Sequence, residues 1–110
     1  MSTPEGAVKK IIVELLRKYN VVPASRSGVN SKCDGWYYFA VQGMLSVKGV
    51  PDIVGHYRGL FFAVEAKAPG KKPTGFQALQ IAAIKQSGGF VCVVDGPESL
   101  KIFEEWLEGL

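Results

Sequence analysis

Three charged side chains interrupt an otherwise apolar stretch of the sequence at residues 48–72, KGVPDIVGHYRGLFFAVEAKAPGKK. Side chains alternate along a strand, so Glu65 and Lys67 point to the same face. A hairpin turn at residues 57–59 would pair the start of one strand, where Asp52 lies, with the end of the next strand. We therefore expect the three charges to meet on one face of a sheet, close to one of its ends.

Such a cluster contains the groups needed for metal-dependent hydrolysis of a phosphodiester. Two carboxylates in a partly buried place repel each other unless a cation lies between them. Mg²⁺ takes oxygen ligands and uses one or two carboxylates plus water and substrate phosphates. A neighbouring ammonium can orient or help deprotonate the attacking water, or meet the charge that develops on the phosphate. The motif is short, and an Asp before a strand with an exposed Glu–Lys pair on an edge strand explains the same residues.

The periodicity of apolar residues predicts the elements that position this cluster. Residues 36–45 predict a strand that is apolar on both faces, and residues 21–35 predict a long polar connection before it. Thr74 and Gln77 have the spacing of a capping box at the start of a helix. The predicted helices and strands are 4–19, 74–89 and 97–110, and 36–45, 52–58, 60–68 and 90–94. The order α-β-β-β-α-β-α predicts a single α/β domain over residues 1–110, with a mixed sheet flanked by helices and one right-handed parallel crossover.

Composition limits the class of protein. The chain has 110 residues, of which 47% are hydrophobic and 21% charged, as in a folded domain with one modest core. It contains no apolar run of bilayer-spanning length and no signal-peptide core at its start, so we expect a cytoplasmic protein without a membrane partner. Cys33 and Cys92 lie far apart, have no zinc-ligand spacing and predict free thiols.

The charges are unevenly distributed along the chain. The net charge is +3, and residues 1–34 hold six Lys/Arg against three Asp/Glu, residues 35–72 five against two, and residues 73–110 two against five. A basic first part and an acidic last part suit a polyanionic partner that meets one side of the molecule. Solvated surface charge explains the same distribution.

Three stretches together resemble a known family: GVPDIVG, VEAKAPGKKPTGFQALQ and GGFVCVV. They are similar to the virus-type replication-repair nuclease (VRR-NUC) domain of the PD-(D/E)XK nuclease superfamily, over residues 5 to 95. The resemblance implies a restriction-endonuclease-like core and a DNA nuclease that depends on Mg²⁺ or Mn²⁺. It implies Asp52, Glu65 and the Ala66 carbonyl as metal ligands and Lys67 as the catalytic lysine.

Two further residues match the family pattern, and each has a second explanation. The family has a Glu at the start of its first helix, as Glu5 is here. Glu5 lies within the apolar stripe of that helix, whereas Glu14 lies on the far side, but a capping box in residues 2–5 also accounts for Glu5. The family places a Gln near the site on the helix that follows the Glu-x-Lys strand. Gln77 matches it and equally fits the N3 position of a helix cap.

The resemblance also implies the substrate. Stand-alone members, as encoded by phages, resemble junction-resolving enzymes, which implies a structure-specific endonuclease that acts as a homodimer on Holliday junctions in the bacterial cytoplasm. A flap-directed or single-strand-directed nuclease, or a non-catalytic DNA-binding protein with the same fold, are the alternatives. His56, the one histidine, is expected to be an ordinary loop or strand residue rather than a general base. Candidate contacts to DNA phosphates are Arg26, Asn30, Lys32, Lys71 and Lys72.

Overall fold

Five strands and three helices make up the part of the chain that the structure describes, a computed structural model in which residues 3–25, 32–41 and 46–109 are described. The elements are α1 Pro4–Lys18, β1 Val21–Pro23, β2 Gly35–Phe39, β3 Ile53–Tyr57, β4 Leu60–Ala66, α2 Gly75–Gln86, β5 Phe90–Val94 and α3 Pro97–Glu108. The strands form one open sheet in the order β1-β2-β3-β4-β5. The outer pairs β1–β2 and β4–β5 are parallel and the two central pairs are antiparallel. The predicted α/β architecture with a mixed sheet flanked by helices is thereby confirmed.

A tight hairpin joins β3 to β4 and sets the register of the candidate site. Arg58 and Gly59 both have positive φ angles, 49° and 83°, as a two-residue turn matched to the twist of the strands requires. The turn pairs Tyr57 with Leu60, and the pairing continues to Ile53 opposite Val64. This register confirms the hairpin that the sequence predicts.

The structure corrects the predicted connection at residues 21–35. Val21–Pro23 form the edge strand β1, which pairs in parallel with β2. A three-residue strand is too short to show a period of two, and a proline argues against a strand. Packing decides the outcome instead, because Val21 is only 2% exposed and belongs to the core. The observed order is α-β-β-β-β-α-β-α.

The other predicted boundaries of helices and strands differ less from the observed ones. The predicted strand 36–45 is β2, which ends at Phe39, and residues 42–45 lie outside the described ones. Beyond β2, the Ala40 N–H still donates to the Asp52 carbonyl at 2.8 Å. The remaining elements agree closely with the predicted ranges, including the parallel crossover from β4 through α2 to β5. No helix in the described ranges is long and apolar enough to cross a bilayer.

The hydrophobic core fills the sheet face that α1 and α3 cover. Phe62 and Val64 alternate along β4 and are fully buried on this face. The Tyr19 hydroxyl donates to Glu104 at 2.8 Å, and the Lys18 ammonium lies 2.8 Å from the same carboxylate, so the end of α1 is linked to α3. The helices contribute Val8, Ile12, Leu15, Leu16, Phe103 and Leu107 to the core.

Helix α2 lies over the opposite face of the sheet. Ala63 and Glu65 point to this face because they alternate with the core residues of β4, and both are buried. Towards the start of β4, Phe61 lines a shallow surface cavity together with Ile84 of α2. The charged residues singled out in the sequence therefore lie on the α2 side of the sheet, away from the main core.

Candidate active site

The hairpin brings Asp52 and Glu65 together. Ile53 pairs with Val64, so continuing the register by one residue places Asp52 opposite Glu65. The Asp52 Oδ2 atom accepts a hydrogen bond from the backbone N–H of Ala66 at 2.9 Å. This bond orients the Asp52 carboxylate across the ladder, towards the strand that carries Glu65. The predicted proximity of these two acids is confirmed.

Glu65 is the unusual group of this site. Its side chain is 1% exposed, and it is the only charged residue that is buried in the described part of the chain. Burial first, and then a hydrogen bond with Asp52 and repulsion from its charge, together raise the pKa of Glu65 to about 9. The Oε2 atom of Glu65 has no hydrogen-bond partner within the described residues. A buried carboxyl oxygen without a hydrogen-bond partner is rare in folded proteins, and it is chemically suited to bind a cation.

Lys67 lies close to this pair. It directly follows β4, and its backbone N–H donates to the Val94 carbonyl at 2.9 Å, which extends the pairing with β5. Alternation along the chain places its side chain on the same face as that of Glu65. The ammonium lowers the pKa of Glu65, although less than burial and Asp52 raise it. Lys67 is therefore near enough for its charge to act on the carboxyl pair.

Glu5 contributes to the same electrostatic environment from α1. Its negative charge raises the pKa of Glu65, which is the weakest of the influences on that group. The Glu5 side chain is 43% exposed and lies 3.5 Å from the Lys9 ammonium, one turn further along α1. The cap of α1 is Thr3, whose hydroxyl accepts from the Gly6 N–H at 2.9 Å. The capping-box explanation of Glu5 is therefore wrong, because Glu5 does not occupy the N3 position.

Gln77 is used as a helix cap. Its Oε1 atom accepts from the Thr74 N–H at 2.8 Å, and its own N–H donates to the Thr74 hydroxyl at 3.3 Å. The capping box is therefore confirmed. A Cβ atom added at Gly49 would collide with the Phe76 carbonyl, so the start of α2 lies directly against the segment that leads to Asp52. Gln77 thus lies on the side of the sheet where the site is, with its side-chain oxygen already bonded.

The other residues that the sequence analysis singled out lie in several different parts of the chain. Lys71 and Lys72 are exposed in the loop that follows β4, and Lys32 is exposed before β2. Arg26 and Asn30 lie outside the described residues. His56 is an exposed residue of β3 and pairs with Phe61 and Trp36 on the neighbouring strands, away from the carboxyl pair. The thiols of Cys33 and Cys92 are free, as predicted.

The arrangement fits a hard divalent cation. In the described ranges, no three His, Cys, Asp or Glu side chains are grouped so as to hold a metal ion. Mg²⁺ nevertheless needs only one or two carboxylates when water and substrate supply its other ligands. Asp52 and Glu65 supply that number, the unpartnered Glu65 oxygen is free to bind, and the Ala66 carbonyl would be a further oxygen donor. The site residues therefore fit such an ion chemically.

One functional group of the site was not foreseen from the sequence. The N–H of Ala66 orients Asp52, whereas the family resemblance implied only the carbonyl of that residue. Only the register across the hairpin could have revealed this bond, since the two residues are 14 positions apart. The chain matches no protein-family model and no curated protein.

Proposed function

We propose that this protein is a metal-dependent DNA endonuclease of the PD-(D/E)XK type, with the VRR-NUC domain as the family it resembles. The observation that carries the proposal is the buried Glu65 carboxyl, which has an unpartnered oxygen and lies beside Asp52 and Lys67. A buried carboxylate beside a second acid destabilises a protein unless a proton or a cation offsets the repulsion between them. A divalent cation bound by both acids would do so.

Each residue then has a defined task. Asp52 and Glu65 would hold Mg²⁺ or Mn²⁺ together with the Ala66 carbonyl, and the Ala66 N–H keeps Asp52 in position. A divalent ion held there supplies Lewis-acid chemistry, lowering the pKa of water and polarising the phosphate. The Lys67 ammonium orients the attacking water and stabilises charge that develops on the phosphate oxygens. Glu5 adds a further acidic group on the α1 side.

The charge distribution supports DNA as the substrate. Residues 46–90 carry six Lys/Arg and only two acids, Asp52 and Glu65, both of them in the site. Helix α3 carries four glutamates, and two of them contact Tyr19 at the end of α1, on the opposite side of the sheet. Five of the six lie in α2 or next to it, where the carboxyl pair lies: Lys48 over the Phe76 ring, Lys67, Lys71 and Lys72 between β4 and α2, and Lys85 in α2. A polyanion that approaches this side meets little repulsion outside the metal site.

The substrate proposed first is a branched DNA. A two-fold homodimer places two equivalent sites so that a Holliday junction is cut symmetrically. A flap or a single strand, cut by a monomer, is the alternative substrate. The mass of the protein in solution separates these two versions, because only the first requires a dimer.

Cleavage assays test the proposal. The purified protein is incubated with labelled four-way junction, flap, duplex and single-stranded DNA in Mg²⁺, Mn²⁺ or EDTA. We expect cleavage that requires the metal and falls by about 10²-fold or more in Lys67→Ala, because a positioned catalytic group typically contributes that much. Lys101→Ala, at an exposed position of α3, is the matched control and should cleave normally.

A different outcome identifies the non-catalytic alternative. A folded protein that binds DNA equally in EDTA and in Mg²⁺, and that breaks no strand in Mg²⁺ or Mn²⁺, would be a DNA-binding protein that shares the fold. Equal cleavage by Lys67→Ala and the wild type would show that any nuclease activity comes from elsewhere in the preparation or from another site.

A further inference from the structure

Four ring-bearing side chains lie next to one another on the α2 side of the sheet. Trp36 and Tyr38 of β2 point to this face, and Trp36 pairs across the ladder with His56 of β3, which in turn pairs with Phe61 of β4. The Trp36 and His56 rings are stacked at an interplanar angle of 26°, with centroids 6.3 Å apart. The Trp36 and Tyr38 centroids are 5.4 Å apart. We name these four side chains the aromatic row.

Three of the four side chains of the aromatic row are open to solvent, and Trp36 is half-buried. Tyr38 is 43% exposed and Phe61 41%, and His56 is also exposed. The row does not belong to the hydrophobic core, which lies on the other face of the sheet. Exposed rings in a contiguous group are costly to leave in water and commonly mark a binding surface. The row is therefore a candidate binding surface.

The aromatic row lies on the same sheet face as the candidate metal ligands. Phe61 and Glu65 are four residues apart on β4, so they share one face and are separated by about 13 Å at 3.3 Å per residue. A stacked strand of DNA advances about 3.4 Å per nucleotide, so this distance corresponds to about four nucleotides. One strand of DNA can thus contact the row and the carboxyl pair at the same time.

Charge complementarity indicates which occupant suits the row. On this face, the only acid within β2, β3 and β4 is Glu65, near the end of β4. The lysines at 67, 71 and 72 follow Glu65 in the chain. A polyanionic strand that runs past the carboxyl pair is attracted to these lysines, whereas a two-fold contact between this face and the same face of a second copy would bring their like charges together. Every nucleobase has a flat π face, so exposed aromatic rings bind unpaired bases without regard to sequence. A paired base in a duplex does not offer that face.

We propose that the aromatic row binds unpaired nucleotides of a DNA strand by base stacking and presents a phosphodiester of the same strand to Asp52, Glu65 and Lys67. The inference rests on the proposed nuclease function. Of the substrates proposed for that function, it favours the flap or single strand over the fully paired Holliday junction, because the row needs unpaired bases next to the bond that is cut. Recognition comes from the availability of base faces, and the basic side chains contribute sequence-independent attraction to the phosphates.

A binding experiment in EDTA tests the row without any cleavage. Fluorescence anisotropy compares the full-length protein on a labelled 12-nucleotide single strand, a blunt duplex and a duplex with a single-stranded tail. We expect tighter binding to the first and third probes, and a loss of about 5- to 100-fold in affinity for them in Tyr38→Ala and in Phe61→Ala. Phe39→Ala is the matched control, because Phe39 neighbours Tyr38 on β2, is 44% exposed and points to the opposite face. It should bind all probes like the wild type.

Ring-preserving variants separate stacking from loss of structure. Tyr38→Phe and Phe61→Tyr should retain wild-type affinity, whereas Phe61→Leu, which keeps the apolar contact but loses the ring, should weaken single-strand binding. Thermal unfolding of each variant identifies any that fails to fold, and the ring-preserving pair then decides the question.

Two results would overturn the inference. One is equal affinity of the wild type for blunt duplex and single strand, with Tyr38→Ala and Phe39→Ala indistinguishable. The other is a dimer that Phe61→Ala converts to a monomer, which would show that a second copy covers the row. Failure of the nuclease proposal is distinguishable from both, because it would appear as absent cleavage while the selective binding in EDTA persisted.

Discussion

Replacing Glu65 by Gln should stabilise the metal-free protein and remove the part of the pH dependence of its stability that Glu65 causes between pH 4.5 and 9. Glu65 is 1% exposed, and its burial and the adjacent Asp52 raise its pKa from 4.5 to about 9. The folded protein therefore keeps this carboxyl protonated at a pH where the unfolded chain releases the proton. Gln has the same shape and carries no titratable proton, so it preserves the packing and removes the linkage between folding and pH.

The sign and size of the effect follow from the two pKa values. The stability that Glu65 contributes is fully present below pH 4.5, decreases as the pH rises through the interval and is lost at about pH 9. Each pH unit lowers the free energy of unfolding by about 1.4 kcal/mol, so the loss at pH 7 is about 3 kcal/mol. At about 4 °C per kcal/mol for a small domain, Glu65→Gln should raise Tm at pH 7 by about 12 °C. At pH 4.5 the two proteins should have the same Tm.

Thermal unfolding followed by circular dichroism in EDTA, at pH values from 4.5 to 9, measures this difference. Glu105→Gln is the control, because Glu105 is exposed on α3 and should give a curve parallel to that of the wild type. Added Mn²⁺ should raise the Tm of the wild type more at pH 8 than at pH 6, since the ion and the proton compete for the same carboxyl pair. The variant should not respond to Mn²⁺ in this way.

Parallel curves for the wild type and Glu65→Gln over the whole pH range would refute this reasoning. They would mean that Glu65 is ionised and solvated in the folded protein, which is incompatible with its burial beside Asp52. A variant that is less stable than the wild type at every pH would instead show that the carboxyl makes a favourable contact that Gln cannot reproduce. Either result would remove the main support for a cation site.

Two further changes test the cap and the basic loop. Thr74→Ala removes the hydroxyl that accepts from the Gln77 N–H and should lower the free energy of unfolding by about 1 kcal/mol, measured as a lower Tm. If Gln77 serves only the cap, Gln77→Ala should lower Tm and cleavage no more than Thr74→Ala does. A loss of cleavage in Gln77→Ala alone would assign Gln77 to the site. Lys71→Ala should weaken DNA binding and reduce the slope of log K against log salt by about 0.7–0.9, as expected for one lost phosphate contact, with Lys101→Ala unchanged. An unchanged slope in Lys71→Ala would exclude that contact.

Local patterns predicted much of the candidate site. The alternation of side chains placed Glu65 and Lys67 on one face, and the two-residue turn at Arg58 and Gly59 brought Asp52 opposite them. Both features depend on geometry within a few residues, so the order of residue types is sufficient to reveal them. The same holds for the capping box at Thr74, which needs only residues three positions apart.

Such local patterns could not predict that the site is buried. The pKa of Glu65 depends on its burial by segments distant in the chain, and its sequence neighbours would equally suit an exposed Glu–Lys pair. The edge strand β1 was missed for a related reason, because a short Val-Val-Pro segment becomes a strand only when β2 and α1 are present to bury it. The exclusion of Glu5 from a capping box likewise required the observed position of the helix start.

The sequence by itself determined the kinds of element, the hairpin and the set of acidic and basic groups that can share one sheet face, because these are properties of neighbouring residues. Tertiary structure alone decided that Glu65 is buried with an unpartnered oxygen, that the Ala66 N–H holds Asp52 and that rings from three strands align into one row. Desolvation and cross-strand register arise from contacts between segments distant in the chain. No local pattern can specify them, because the same residues in another packing would be solvated and far apart.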